Sequence, residues 1–393
     1  MTVTYPNGFI AAGVTAGLKA SGRKDVAVVV NTGPQPAAAA VFTSNRFPAA
    51  PVQWSRQALA ETTARGQAPL AVVLNSGGAN ACTGPAGYQQ AAQEATLAAS
   101  LLGLDDSSDV LVCSTGLIGQ LLPIDQVCDG IEQAVQAAQA DGGQAAAEAI
   151  MTTDTHPKTT AQDYDGWSVG GMAKGAGMIA PGMATLLVVV TTDAVTDNAT
   201  AQRALAAAAE QTFNRIDSDG CMSTNDTLIL LASGASGVTP SETELTSAVT
   251  TACHSLAQQC IGDAEGASHE IAITVQCASS EQAALAVARA IARSNLFKCA
   301  VFGNDPNWGR ILSAAGTVPP EAAPFDARQV DVSINGVMVC RGGGVGEPRE
   351  LVQMAARRRV EVVVNLKAGT RQATVYGNDL TYDYVKENAE YST

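Results

Sequence analysis

Residues 174–194 read KGAGMIAPGMATLLVVVTTDA. Glycines at 175, 177 and 182, with Pro181, predict a bent and conformationally loose loop, because glycine visits backbone angles that other residues avoid and proline fixes φ. The loop runs straight into Ala184-Thr185 and then into the apolar, β-branched run 186–192, which reads as a buried strand. A Thr at the head of such a strand is well placed to attack the carbonyl before it. If the Ala184–Thr185 bond is cut, Thr185 carries both a hydroxyl and a free α-amine. That amine is a weak enough base at neutral pH to deprotonate its own hydroxyl, the N-terminal threonine form of nucleophilic catalysis. On this segment alone, a β-branched residue that merely opens a strand is the commoner reading.

Outward from this segment, short strands alternate with helices. Strands are expected at 25–32, 37–43, 69–75, 109–114, 227–232, 271–277, 330–334, 360–366 and 372–376. Helical periodicity is expected at 87–102, 124–138, 143–150, 201–213, 242–261, 282–293 and 381–387. This mixture predicts an α/β fold of layered sheets and helices. No GxGxxG or GxxxxGK[ST] follows a strand, so a doubly wound nucleotide-binding sheet is not expected. The clearest composition shift, VTPSETE at 238–244, reads as a surface connection.

The chain has 393 residues, 46% of them hydrophobic, which is enough for a large core, and a net charge of −14. Such acidity argues against sequence-independent nucleic-acid binding, which needs Lys and Arg to displace counterions. The start, MTVTYPNGF, lacks the charged and apolar regions of a signal peptide, and apolar runs of about five residues fall far short of the roughly 20 a spanning helix needs. A cytoplasmic protein with no membrane association is the expectation. The nine cysteines are odd in number and include no CxxC, and most sit among apolar neighbours, so buried reduced thiols are expected. The three histidines make no ligand spacing, so no metal site is expected. No GxSxG elbow is present, so an acyl-transfer base would have to come from elsewhere than a Ser-His-Asp triad.

Polar or Gly-rich strings stand at the ends of predicted strands, where α/β enzymes place their sites. Cys113-Ser114-Thr115-Gly116 can offer a hydroxyl and a backbone N–H to an oxyanion, or be an ordinary strand-to-turn junction. Met151-Thr152-Thr153-Asp154-Thr155 can hold an amino-acid head group, or cap a turn. Asp217-Ser218-Asp219-Gly220 lacks the rest of a calcium loop. Lys174 and Glu265 would each pass for a surface charge.

The order and spelling of these strings are more specific than any one of them. MTTDT, KGAGMIAPGMATLL, FNR…DG…STNDT, DAEGA, FGNDPNWGRIL and NDLTYDYVKENAEYST resemble the ornithine acetyltransferase family of arginine biosynthesis (the ArgJ type), as do VFTSNRFPAAPV, LNSGGANACTGPAGY and CSTGLIGQLLP nearer the start. The resemblance spans residues 8–393. It implies a layered α/β sandwich of mixed sheets flanked by helices, with a smaller C-terminal α/β lobe. It also implies a precursor that cuts itself between Ala184 and Thr185. Residues 1–184 become an α chain and 185–393 a β chain, with 185–240 completing the N-terminal core and 241–393 forming the C-terminal lobe. Thr185 becomes the nucleophile, taking acetyl from N2-acetyl-L-ornithine and passing it to L-glutamate. Thr115 and Gly116 match the oxyanion-hole pair. Thr152, Lys174, Thr185, Glu265, Asn388 and Thr393 match substrate-contacting positions. No cofactor is implied, although some members use acetyl-CoA as a second donor, and the two chains form an α2β2 heterotetramer. Gly182 stands where a larger residue is usual and Leu186 replaces Met; neither change removes a functional group. A self-cleaving amidohydrolase or aminopeptidase of related fold is the alternative.

Overall fold

The computed structural model describes residues 2–178, 180 and 186–390. Ala184, Thr185 and Thr393 lie outside the described residues. The fold is mixed α/β, with mixed sheets and ten α-helices among the described residues. The chain separates into two compact units, 1–214 with 221–263, and 215–220 with 264–392.

The first unit holds two sheets. One is ordered Phe9–Val14, Val26–Asn31, Ala71–Gly78, Val110–Leu117; only its last pair is parallel. The other is ordered Ala37–Phe42, Thr227–Ala232, Leu187–Thr192, Ser168–Lys174, Lys158–Asp163, with one parallel pair. Side chains alternate across a strand, so one face of each sheet can pack on the other. Phe9, Ala27, Val29, Val72, Leu74 and Leu111 of the first meet Ala38, Met172, Leu187, Val189, Ile229 and Leu231 of the second in one buried core. Helices Gly84–Leu102 and Ile124–Ala137 cover the outer face of the first sheet. Helices Asn198–Gln211 and Glu242–Gly262 cover that of the second.

The connection expected at 238–244 is the start of that last helix. Ser241 Oγ accepts from the Glu244 N–H and the Glu244 carboxylate accepts from the Ser241 N–H, a reciprocal capping box. Because this helix lies on strands Lys158–Asp163 and Ser168–Lys174, residues 241–263 group with the first unit and not with the C-terminal lobe expected from 241. Those two strands escaped the sequence reading because Gly170-Gly171 interrupts their apolar pattern. A Cβ at Gly170 would meet the Thr2 carbonyl oxygen at 2.2 Å, so a larger residue would displace the N-terminal segment.

Strand Val110–Leu117 lies at a sheet edge, and its exposed backbone is covered by helix Ala50–Ala64, also absent from the sequence reading. Trp54 Nε1 donates to the Val110 carbonyl at 3.1 Å. Ser55 Oγ donates to the Val112 carbonyl and accepts from the Val112 N–H, both at 2.8 Å. The Asn225 amide donates to the Ser114 carbonyl at 2.8 Å. An edge strand clamped in this way has little freedom at the Thr115 that follows.

The second unit is a six-stranded mixed sheet built around Glu270–Ala278, which pairs parallel with Arg359–Asn365 and antiparallel with Arg371–Asn378. Its core joins Ile271, Ile273 and Val275 with Val287 and Ile291 of helix Glu281–Ala292, and with Phe297, Val301 and Ile311 of two short helices that follow.

The nine cysteines form no disulfide, but burial is not general: Cys82, Cys221 and Cys299 are exposed. Burial pushes the Cys113, Cys253 and Cys260 thiols up to about 12. No helix among the described residues is long and apolar enough to cross a membrane, and no group of acidic, His or Cys side chains there could hold a metal ion.

Candidate active site

In the first unit three strand ends meet. Lys174 is paired with Leu187, and Leu187 with Thr227, so the ends of three neighbouring strands are in register. Lys174 shares the inner face with Met172 and reaches the other sheet, where its Nζ donates to Thr115 Oγ1 at 3.1 Å. Lys174 is 2% exposed and Thr115 1%. An ammonium has only donors, so Thr115 Oγ1 is the acceptor and its own proton is directed elsewhere. Gly116 follows with φ at +134°, and a Cβ there would lie 2.6 Å from the Gly77 carbonyl carbon and the Gly78 nitrogen. Only glycine lets the two strand ends approach this closely.

Beneath Lys174 lies a buried charge network. Asp154 Oδ1 accepts from the Gly175 N–H at 2.8 Å and from Lys158 Nζ at 2.5 Å. Its Oδ2 accepts from the Thr152 N–H at 2.9 Å. Burial alone would raise the Asp154 carboxyl, but the Lys174 and Lys158 charges and these hydrogen bonds prevail and hold it at about 2. Lys158 is fully buried and also pairs with Asp263, which accepts from the Thr155 backbone at 2.9 Å and from its hydroxyl. Of the two readings open for MTTDT, the carboxylate therefore serves as an internal anchor. Its partners are Lys158 and the backbone N–H groups of Thr152 and of the residue after Lys174.

Asp226, within the STNDT string, receives the Leu186 N–H at 3.0 Å, and the Leu186 carbonyl accepts from the Thr227 N–H at 2.9 Å. Asp226 is completely buried, and among the described residues its second oxygen has no hydrogen-bond partner. Burial pushes its carboxyl well above the usual range, against the Leu186 N–H and the Lys174 charge. The sequence reading assigned Asp226 no role, since nothing local distinguishes an Asp before a strand. It also passed over Lys19. That ammonium donates to the Lys24 and Ala149 carbonyls at 2.7 and 3.3 Å, and burial lowers it to about 8 despite nearby Asp25 and Asp154.

In the second unit the C-terminal helix Tyr382–Glu390 seats on the loop carrying Glu265. Thr381 Oγ1 donates to the Gly266 carbonyl at 2.6 Å and accepts from the Tyr384 N–H at 2.9 Å. Gly266 has φ at +59°, and a Cβ there would touch the Tyr384 nitrogen at 2.3 Å. This close seating brings Asn388 Nδ2 to Glu265 Oε2 at 3.1 Å. Partial burial and the charges of Glu265 and Asp383 raise the Glu387 carboxyl, so a second acidic group stands beside Glu265. Repelling carboxylates of this kind favour a bound ammonium. Asp217 of the DxDG string instead pairs with Arg293 at 2.7 Å.

The structure thus joins Lys174 to Thr115 by a hydrogen bond, ties Thr152 through Asp154 to the residue after Lys174, and joins Glu265 to Asn388.

Comparison with known proteins gives the same direction. The model of the ArgJ family matches residues 10–393. The arginine biosynthesis bifunctional protein ArgJ of Bifidobacterium longum is 56% identical over 398 residues, covering 100% of both chains. Its counterpart in Streptomyces coelicolor is 56% identical over 393 residues, again covering 100% of both. A crystal structure of ornithine acetyltransferase from Mycobacterium tuberculosis, complexed with ornithine, is 51% identical to this chain. It covers 46% of this chain and 94% of that one, with a TM-score of 0.44. With a family model spanning nearly every residue and full-length relatives above half identity, the chain belongs to the ArgJ family.

Proposed function

We propose that Thr185 is the nucleophile of a ping-pong acetyl transfer from N2-acetyl-L-ornithine to L-glutamate. As a member of the ArgJ family, the chain is a bifunctional acetyltransferase of arginine biosynthesis. The observation that carries the finer reading is the buried Lys174 ammonium on the Thr115 hydroxyl. With its lone pair engaged by a cation, that hydroxyl presents its proton to a developing negative charge, which is what an oxyanion donor must do. Gly116 contributes the adjoining backbone. The precursor cuts itself at Ala184–Thr185, and the freed α-amine takes the Thr185 hydroxyl proton. Thr185 then attacks the acetyl carbonyl of acetylornithine, and collapse of the tetrahedral adduct expels ornithine and leaves an acetyl ester. The glutamate amine attacks that ester, takes the acetyl group and restores the hydroxyl.

Glu265, with Glu387 beside it, is the candidate partner of the ornithine ammonium. Asn388, Thr393, Thr152 and Lys174 are the candidate partners of amino-acid head groups. No cofactor is needed, and acetyl-CoA is a second donor. The cut chains form an α2β2 heterotetramer in the cytoplasm.

Mass spectrometry of enzyme mixed with acetylornithine alone tests the scheme. One acetyl group should appear on the chain that begins at Thr185, with parallel double-reciprocal lines when both substrates are varied. Intersecting lines without an acetylated species would overturn it. Loss of acetylornithine at the same rate without glutamate would make the enzyme a hydrolase.

A further inference from the structure

The second unit carries a surface cavity of about 330 Å³ lined by Ser268, His269, Asn304, Arg357 and Arg358, with Ala355 and Ala356. We infer that this cavity binds a phosphate group, free or borne on a small molecule, with Arg357 and Asn304 as its donors.

The floor is fixed from below. Asp379 is buried and accepts from the N–H groups of Ser268 and His269 at 3.0 and 2.9 Å. It also accepts from the Ser268 hydroxyl and lies 2.9 Å from His269 Nδ1. A carboxylate only accepts, so Nδ1 carries the ring proton and Nε2 of the neutral ring is an acceptor. Arg357, Arg358 and Arg359 form the chain's only run of three basic residues, in a protein of net charge −14. Two of the three are committed: Arg358 pairs with Glu270 at 3.3 Å, and Arg359 lies over the Tyr376 ring at 5.4 Å. Arg357 makes only a backbone hydrogen bond among the described residues, and so does Asn304, held at φ +55°. Two uncommitted donor groups of different kinds therefore line one cavity, and no carboxylate is among its lining residues. A guanidinium binds two phosphate oxygens at once, and a third oxygen suits the amide. A phosphate brings one more oxygen and more negative charge to these donors than a carboxylate does.

The cavity does not enter the acetyl-transfer scheme, and a binding measurement needs no turnover, so failure of that scheme would leave this inference standing. Calorimetric titration of the full-length protein with inorganic phosphate, coenzyme A and dephospho-coenzyme A tests it. The last two differ by a single phosphate monoester. Arg357→Ala should weaken whichever phosphate ligand binds by about tenfold or more. Asn304→Ala should weaken it less, and Arg371→Ala, an exposed arginine outside the cavity, should leave it unchanged. Coenzyme A binding more tightly than dephospho-coenzyme A in the parent, with that preference lost in Arg357→Ala, would make the ligand a phosphorylated nucleotide; a preference kept in Arg357→Ala belongs to the acetyl-transfer site and would overturn the assignment, and binding of inorganic phosphate alone would make the ligand the free ion. Absence of any phosphate-dependent binding, or equal weakening by Arg357→Ala and Arg371→Ala, would overturn the assignment.

Discussion

Lys174 Nζ and Thr115 Oγ1, both buried, lie 3.1 Å apart and join the ends of strands from two different sheets. The bond fixes the direction of the threonine proton and sets a full positive charge behind it. Removing the hydroxyl should therefore affect rate more than binding. Thr115→Ala is expected to lower kcat by about 10²–10³-fold with a smaller change in KM, and to slow self-cutting if one oxyanion hole serves both reactions. Normal kcat with a raised KM would reassign Thr115 to ground-state binding.

Self-cutting should depend on Thr185 and, less absolutely, on Asp226. Thr185→Ala should run as one uncut chain on a denaturing gel and transfer no acetyl. Two bands from that variant would mean that another residue attacks. Asp226→Leu removes the acceptor of the Leu186 N–H and should slow cutting, whereas Asp226→Asn keeps an amide oxygen there and should cut faster than the Leu variant. Equal cutting by both would show that the anchor on Leu186 is dispensable.

Asp154 holds the backbone of Thr152 and Gly175 and shares Lys158 with Asp263. Asp154→Ala leaves a fully buried ammonium short of one carboxylate and should cost about 3 kcal/mol in urea unfolding. Lys158→Met in the same chain should recover part of that loss, because it removes the stranded charge. Acetylornithine KM should rise in the single variant as the Thr152 and Lys174 segments loosen. Unchanged stability and KM would contradict the network.

Two buried carboxyls make stability depend on pH in opposite senses. Glu94 is completely buried, with no hydrogen bond to either oxygen among the described residues, and burial raises it from 4.5 to about 8. The folded protein holds that proton where the unfolded chain releases it, so stability contributed by Glu94 is present below pH 4.5 and is lost as pH rises through about 8. Asp154 falls from 3.8 to about 2, so its contribution is present above pH 3.8 and is lost as pH falls through about 2. Glu94→Gln should flatten the alkaline loss, gaining a few kcal/mol over the parent above pH 8. Parallel unfolding-versus-pH curves for parent and variant would refute this.

The C-terminal residues should act in substrate binding. Deleting 388–393 removes the Asn388 partner of Glu265 but no core strand. A folded, self-cut enzyme with severely raised KM is expected; wild-type KM for both substrates would dismiss Asn388 and Thr393 together.

Much of this protein was legible in one dimension. Short continuous apolar runs marked strands such as 186–192 and 227–232, and helical spacing marked 242–261, because run length and helical period are both written within a few residues. The reading failed where the pattern is broken for tertiary reasons. Strand Ser168–Lys174 carries Gly170-Gly171 because the N-terminal segment and helix Glu242–Gly262 leave no room for side chains. Helix Ala50–Ala64 shows its purpose only when Trp54 and Ser55 meet the edge of Val110–Leu117. The family strings marked Thr115, Thr152, Lys174, Glu265 and Asn388 without saying what each one touches. That Lys174 spends a donor on Thr115, that Asp154 is consumed as an anchor, and that Asp226 holds the Leu186 N–H were decided by strand register and sheet packing. Those contacts join residues tens of positions apart, and their strength comes from burial, which no local pattern of residues encodes.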